Sequence, residues 1–460
     1  MELSELRKYN HIHLIGIGGI SMSAIAETLH NWNFYVTGSD LNQSSITDTL
    51  VKHGIPVVIG HDTENANKAD FIIYSAAISE TDPEMLIAKE KGTKLVGRGE
   101  FVGYLTKMYK EAICISGTHG KTTTTSMLSV CFINAEKDPS IEVGAILDDI
   151  GGNYRVGNSE FFILESCEYK GNFLKFFPNT AIILNIDNDH LDYYKTFENI
   201  VKAFQDFAKL LPEDGLLVTN ADDKNCYDLK DITKSKTITY GIENPNADYV
   251  AKNIIFDENG YPTFDVYKGS EFYESISLNI TGLHNVLNSL ACIATCDYYS
   301  LPSEVVKKSL KSFRGAERRL EYKGTINNTV NIYDDYAHHP TEILATSNAV
   351  KNKKYNKSWV VFQPHTYSRT KTLLDDFAKA ISTFDNIVLL DIYAAREADT
   401  HEISSKDLCN ETLKLNKNVH YIPDFNEVVD FLKSNVEEND IIITLGAGTV
   451  TNIGPMLLEK

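Results

Sequence analysis

The densest chemistry in the chain lies between residues 112 and 134, AICISGTHGKTTTTSMLSVCFIN. A short apolar run, Ala112 to Ile115, gives way at once to small and polar residues and then to a helical pattern: strand, tight loop, helix. Gly117 and Gly120 let the backbone turn with its N–H groups pointing inward, and the unpaired amides of a helix N-terminus carry partial positive charge. Thr118 and His119 complete the loop, Lys121 adds a full charge, and Thr123 continues it into the helix. Thr122 places a hydroxyl where nucleotide-binding loops use Ser or Thr to ligate a metal bridging phosphate oxygens. Ile115 occupies the place of the first glycine in G-x-x-x-x-G-K-[ST], so the loop is a shorter variant.

A second glycine turn lies near the N-terminus. In G-I-G-G-I-S, Gly16 and Gly18 match the dinucleotide fingerprint and Ser21 replaces its third glycine. Gly19 and Ile20 complete the turn, and Asp40 follows about 20 residues on, where an acidic side chain usually meets a ribose. NAD, another nucleotide diphosphate and a purely structural turn all fit this signal. Ser75 ends a further strand on the same side and joins Asp40 as a candidate ligand, with ordinary turn capping as the alternative.

Further polar residues fall just past apparent strand ends. Glu165 closes Phe161 to Leu164, and His190 ends the N-I-D-N-D-H that follows Ala181 to Leu184. A carboxylate and an imidazole there suit a divalent ion beside a triphosphate. His284, Asn285 and Asn288 open a largely apolar helix, where amides can read a base or cap the helix.

The elements that must carry these groups form three series. Residues 11 to 107 alternate apolar strands with helical patterns, as do residues 326 to 460, where strands are expected at 330–333, 359–362, 387–390 and 441–445. The central series runs from near Tyr109 to near Phe313. It contains an antiparallel stretch at 248–280, with a turn at Glu258-Asn259-Gly260. R-G-A-E-R-R then reads as an exposed basic connector. In the last series D-D-Y-A-H-H-P, Q-P-H-T-Y-S-R, D-I-Y-A-A-R-E and G-A-G-T all end strands, which suggests a lined cleft. The expected fold class is α/β, three consecutive domains with mostly parallel sheets: Rossmann-like at 1–108, P-loop-type at 109–313 and Rossmann-like at 314–460.

Composition narrows the partners. With 44 basic and 63 acidic residues among 460, the formal charge is −19, which argues against nucleic acid and anionic membranes and for a small anion held by local groups. No apolar run nears the ~20 residues of a membrane span, and MELSELRKYN lacks a signal-peptide core, so a cytosolic protein is expected. Seven scattered cysteines without a C-x-x-C pair read as reduced core residues. Nothing in the sequence reports oligomeric state.

Taken in order, G-I-G-G-I-S-M-S, G-T-H-G-K-T-T-T, N-I-x-x-D-H, G-x-H-N-x-x-N, R-R, D-D-Y-A-H-H-P-T-E and F-Q-P-H-T-Y-S-R resemble the Mur ligases along essentially the whole chain. The resemblance implies an ATP-dependent ligase of peptidoglycan precursor synthesis, joining L-alanine to the lactyl carboxylate of UDP-N-acetylmuramate through an acyl phosphate. A ligase that recycles whole murein peptides is the nearer alternative, and a nicotinamide-dependent oxidoreductase the distant one.

The resemblance also implies roles for residues. Gly18, Gly19, Ile20, Ser21, Asp40 and Ser75 would face the UDP-sugar, and Gly117 to Thr123 the ATP phosphates. Thr122, Glu165 and His190 would hold two divalent ions, magnesium or manganese. Asn285, Asn288, Arg319 and Asp334 would reach the nucleotide, and Tyr336, His365 and Arg369 the amino acid. Lys121, His190 and Glu165 would be catalytic. The string E-S-C-E-Y-K-G-N departs from the acidic run many members carry, which leaves Glu168 without an assigned role.

Overall fold

The computed structural model describes residues 1–395, 397–399 and 401–459; Arg396, within the D-I-Y-A-A-R-E string, lies outside them. The chain folds into two compact units, Met1–Asp248 with Ala291–Val306, and Tyr249–Leu290 with Lys307 onward.

In the first unit, β1 (His11–Ile15), β2 (Tyr35–Asp40), β3 (Val57–Ile59), β4 (Phe71–Tyr74) and β5 (Lys94–Gly97) form a parallel sheet in the order β3-β2-β1-β4-β5. The order reverses beside β1, so the crevice past the carboxyl ends of β1 and β4 is a topological switch point. The first glycine turn lies there. β1 is buried on both faces, as a central parallel strand requires.

The same unit holds β6 (Glu111–Ser116), β7 (Ser140–Leu147), β8 (Gly152–Arg155), β9 (Phe161–Glu165), β10 (Thr180–Ile183), β11 (Leu216–Asn220) and β12 (Lys236–Gly241), in the order β12-β11-β10-β6-β9-β7-β8. All its neighbours run parallel except β7 and β8. The helix Lys121–Asn134 follows β6 directly and is buried along almost its whole length. One apolar cluster runs from Leu6 and Phe101 through Cys114 and Phe173 to Phe204 and Phe207, so the two sheets of this unit share a core.

The second unit begins with an antiparallel meander, β13 (Tyr249–Phe256), β14 (Pro262–Lys268) and β15 (Glu271–Ser277). Its β13–β14 turn rests on the end of the helix Pro340–Lys351: Asn259 bridges Lys353, whose Nζ donates to the Asn259 carbonyl at 2.8 Å. Then come β16 (Glu321–Ile326), β17 (Val330–Asp335), β18 (Ser358–Phe362), β19 (Asn386–Leu389), β20 (Val419–Tyr421) and β21 (Ile441–Leu445), ordered β16-β17-β21-β18-β19-β20 and parallel except for β16. Three sheets, mostly parallel and flanked by helices, give the expected α/β class.

Two expectations need correction. The connector R-G-A-E-R-R is only partly exposed, because Arg318 and Arg319 are half-buried and hold groups of the last sheet. Cys167 is exposed; the other six cysteines are buried. The turn of Lys170 and Gly171, both with left-handed backbone, follows Cys167 closely. No helix among the described residues is long and apolar enough to cross a membrane.

Candidate active site

The phosphate loop is braced from the end of β10. Asn185 Oδ1 accepts from the His119 amide at 2.8 Å, Asn185 Nδ2 donates to the His119 carbonyl, and the Asp187 amide donates to Thr118 Oγ1 at 2.9 Å. Gly117 and Gly120 both have positive φ, 142° and 84°, and Gly120 caps the helix that begins at Lys121. Lys121 Nζ folds back over this loop, donating to the carbonyls of Gly117 (2.6 Å) and Thr118 (3.0 Å).

Glu168 completes the arrangement. Its Oε2 lies 3.0 Å from Lys121 Nζ, and the carboxylate is almost fully buried. Burial would lower the Lys121 pKa, but the charges of Glu168 and Glu165 outweigh it and hold the ammonium firmly protonated. His190, in a left-handed conformation, brings Nε2 to 3.7 Å from Glu168 Oε1 and packs against Tyr169. The resemblance gives His190 a divalent ion apart from that of Thr122 and Glu165, and Glu168 is the carboxylate that its Nε2 approaches.

Glu165 instead meets Thr122. Thr122 Oγ1 donates to Glu165 Oε2 at 2.9 Å, and the Gly144 amide donates to the same oxygen at 3.0 Å. The donor set of a hydroxyl, two carboxylates and one imidazole fits magnesium or manganese, which favour oxygen ligands.

At the first glycine turn Gly16 is left-handed, and Gly18 donates its amide to Asp40 Oδ2 at 2.9 Å. A Cβ on Gly18 would stand 2.9 Å from that oxygen, so the close approach requires glycine. Gly19 starts the helix Ile20–Asn31, with Ile20 exposed. Ser75 binds the Ile15 carbonyl through its amide and accepts from Ala77 at its hydroxyl. Ser21 donates to Glu142 and accepts from Arg98 Nη1 at 3.1 Å. Arg98 escaped the sequence reading, although its place just past β5 is the signal that could have found it.

In the second unit Asn288 Nδ2 donates to Asn285 Oδ1 at 3.0 Å, and Asn285 Nδ2 to the Thr281 carbonyl at 2.7 Å, both side chains nearly buried. Asp334 pairs with Arg318: Arg318 Nε donates to Asp334 Oδ2 at 3.0 Å, and Thr451 and Thr444 also donate to that carboxylate. Both guanidinium groups lie over the Tyr336 ring, at 4.9 Å for Arg318 and 5.4 Å for Arg319. Asp335 is buried, which lifts its pKa to about 6 against the opposing charge of Arg319. Tyr336 meets His338, His338 meets His365, and His365 Nδ1 lies 3.1 Å from Arg369 Nη1. Tyr336, His365 and Arg369 thus share one corner, with Tyr393 stacked on His365.

Comparison with known proteins matches this architecture throughout. Residues 11–110 match the Mur ligase family catalytic domain, 115–296 the Mur ligase middle domain, and 318–448 the glutamate ligase domain of the same family. The UDP-N-acetylmuramate–L-alanine ligase of Acetivibrio thermocellus is 45% identical over 100% of this chain and 98% of its own. That of Clostridium botulinum strain Hall is 49% identical, covering 98% of both. Among solved structures, the UDP-N-acetylmuramate–alanine ligase of Thermotoga maritima superposes with a TM-score of 0.79 at 29% identity, covering 97% of this chain and 98% of its own. A murein peptide ligase from Psychrobacter arcticus shares the fold, with a TM-score of 0.69 at 22% identity over 97% and 98% of the two chains. The chain belongs to the Mur ligase family.

Proposed function

We propose that the protein joins L-alanine to the lactyl carboxylate of UDP-N-acetylmuramate at the expense of ATP, a step of cytoplasmic peptidoglycan precursor synthesis. The observation that carries the reading is the loop of Gly117 to Thr122, with Lys121 fixed over it by two carbonyls and Glu168. Whole-chain identity to alanine ligases supports alanine as the acceptor over a murein peptide.

A free carboxylate does not acylate an amine in water, because its oxygen leaves poorly. Attack of the lactyl carboxylate on the γ-phosphorus gives an acyl phosphate and ADP. The neutral amine of alanine then adds to the acyl carbon, and phosphate leaves. Lys121 and the amides at the start of the helix Lys121–Asn134 stabilise charge on the transferring phosphoryl group. Thr122 with Glu165, and Glu168 with His190, would hold magnesium, which when bound neutralises phosphate charge.

Gly18, Gly19, Ile20, Ser21, Asp40 and Ser75 receive the UDP-sugar in this reading, and Arg98 joins them through Ser21. Asn285, Asn288, Arg319 and Asp334 serve the nucleotide. Tyr336, His365 and Arg369 bind the amino acid, the guanidinium matching its carboxylate.

The test is isotopic. Oxygen-18 placed in the lactyl carboxylate should appear in inorganic phosphate, one atom per turnover, with free alanine as acceptor. Product without label in phosphate would refute the acyl phosphate. A clear preference for tripeptide over alanine would move the assignment to the recycling ligases, and binding of NADH in place of UDP would remove it from the family's chemistry.

A further inference from the structure

The N-terminal sheet buries a chain of polar side chains that the proposed ligation does not use. On β1 and β2, Thr37 Oγ1 lies 2.8 Å from both His11 Nε2 and His13 Nδ1. His13 Nε2 lies 2.7 Å from Glu84 Oε2, and Ser39 Oγ donates to both Glu84 oxygens at 2.8 and 2.9 Å. These bonds fix the Glu84 carboxylate, 1% exposed, at the start of the helix Pro83–Lys91.

Two further side chains converge on that carboxylate. His61 Nδ1 lies 3.6 Å from Glu84 Oε1 and 3.4 Å from Asp82 Oδ2, and one ligand atom from each of the three residues falls within 4.8 Å of the others. Those separations exceed the roughly 2.7–3.2 Å of a good N–H···O bond. The two imidazole–carboxylate distances, 3.4 and 3.6 Å, stand at or just above the upper end of the spacing of two ligands held about 2.1 Å from one cation, roughly 3.0–3.4 Å at octahedral or tetrahedral angles.

The supporting bonds are of the kind that orient metal ligands. Ser39 and His13 fix the Glu84 carboxylate, and the Glu84 amide donates to Asp82 Oδ1, which turns Oδ2 toward His61. His61 is 41% exposed while Asp82 and Glu84 are recessed, so an ion can enter from solvent on the imidazole side.

We propose that His61, Asp82 and Glu84 bind one first-row divalent cation, zinc by preference, with water completing its coordination. One imidazole and two carboxylates without a thiolate suit zinc, cobalt or manganese better than a soft ion. The ion would tie the loop after β3 to the start of the helix Pro83–Lys91. None of its ligands belongs to the nucleotide loop.

The test uses full-length protein stripped with EDTA and titrated with Co2+, then Zn2+, in excess Mg2+. Wild type should show visible cobalt absorption saturating at one equivalent and displaced by zinc. Thr122→Ala should keep that band, whereas His61→Gln and Asp82→Asn should lose it. The amide introduced by Asp82→Asn retains an oxygen to cap the helix, so this variant stays informative if His61→Gln folds poorly. Zinc should raise the melting temperature of wild type and leave that of Asp82→Asn unmoved. An equal cobalt band in wild type and both ligand variants, or no band in wild type at tenfold excess, overturns the proposal.

Discussion

Lys121 shows how one side chain carries both charge and stability. Its ammonium is pinned by two loop carbonyls and by a Glu168 that is 2% exposed. Lys121→Ala should lower turnover at least ~10²-fold, the cost typical of losing a transition-state charge donor. It should also destabilise the protein by about 3 kcal/mol, because Glu168 is left buried without its cation. Adding Glu168→Gln to that variant should recover stability but not activity. Phosphate release and urea unfolding measure the two effects apart, and near-normal turnover in folded Lys121→Ala would end the ATP assignment. Asp335 gives a second handle through pH. Its folded pKa of about 6 stands above the ordinary 3.8, so the folded protein binds this proton more tightly than the unfolded chain. Its contribution to stability is therefore highest below about pH 4 and is lost as pH rises through 6, up to about 3 kcal/mol over the window. The stability of wild type relative to Asp335→Asn should fall between pH 4 and 7, and a flat difference in urea midpoints would contradict it.

Among the elements, β7 and β9 set the spacing of the proposed metal ligands. A Cβ on Gly144 would stand 2.6 Å from Glu165 Oε2, the oxygen that binds Thr122 and the Gly144 amide. Gly144→Ala should push Glu165 away from Thr122 and raise the magnesium requirement by roughly 10-fold, the lower end of what supporting groups contribute. Phosphate release against magnesium concentration measures this, and an unchanged requirement would remove Glu165 from the metal site. The strands themselves were legible because their apolar runs are short and end in polar clusters. Ala112 to Ile115 lies within β6, and Phe161 to Leu164 within β9. What sequence could not show is contact across distance. Asn185 braces a loop 66 residues away, and Glu168 reaches Lys121 across 47. Arg318 and Arg319 look alike in sequence, but a φ of 58° at Arg318 accompanies its side chain's approach to Asp334. The His13, Ser39 and Glu84 network was hidden for the same reason, since a histidine in an apolar strand looks like ordinary core.

For the whole molecule, each compact unit carries its own set of candidate residues. The phosphate loop, Glu165, Glu168 and His190 belong to one; Asn285, Asn288, Asp334, Tyr336, His365 and Arg369 belong to the other. An acyl phosphate is destroyed by water, so ATP should be consumed at full rate only with every substrate present. Arg369 is the group through which that dependence can be read. A planar guanidinium matches a carboxylate with two parallel bonds, and a hydrogen bond to a charged partner contributes about 1.5–3 kcal/mol, roughly 10- to 100-fold in affinity. Arg369→Ala should therefore raise the KM for alanine by at least about 10-fold while leaving the KM for ATP near its wild-type value, because the phosphate loop is untouched. Lysine keeps the charge but not the fork, so Arg369→Lys should recover only part of the loss. Product formation at varied alanine and fixed ATP separates these outcomes. An unchanged alanine KM would detach Arg369 from the amino acid, whereas an equal rise in both constants would mean that the variant disturbs the whole molecule rather than one subsite.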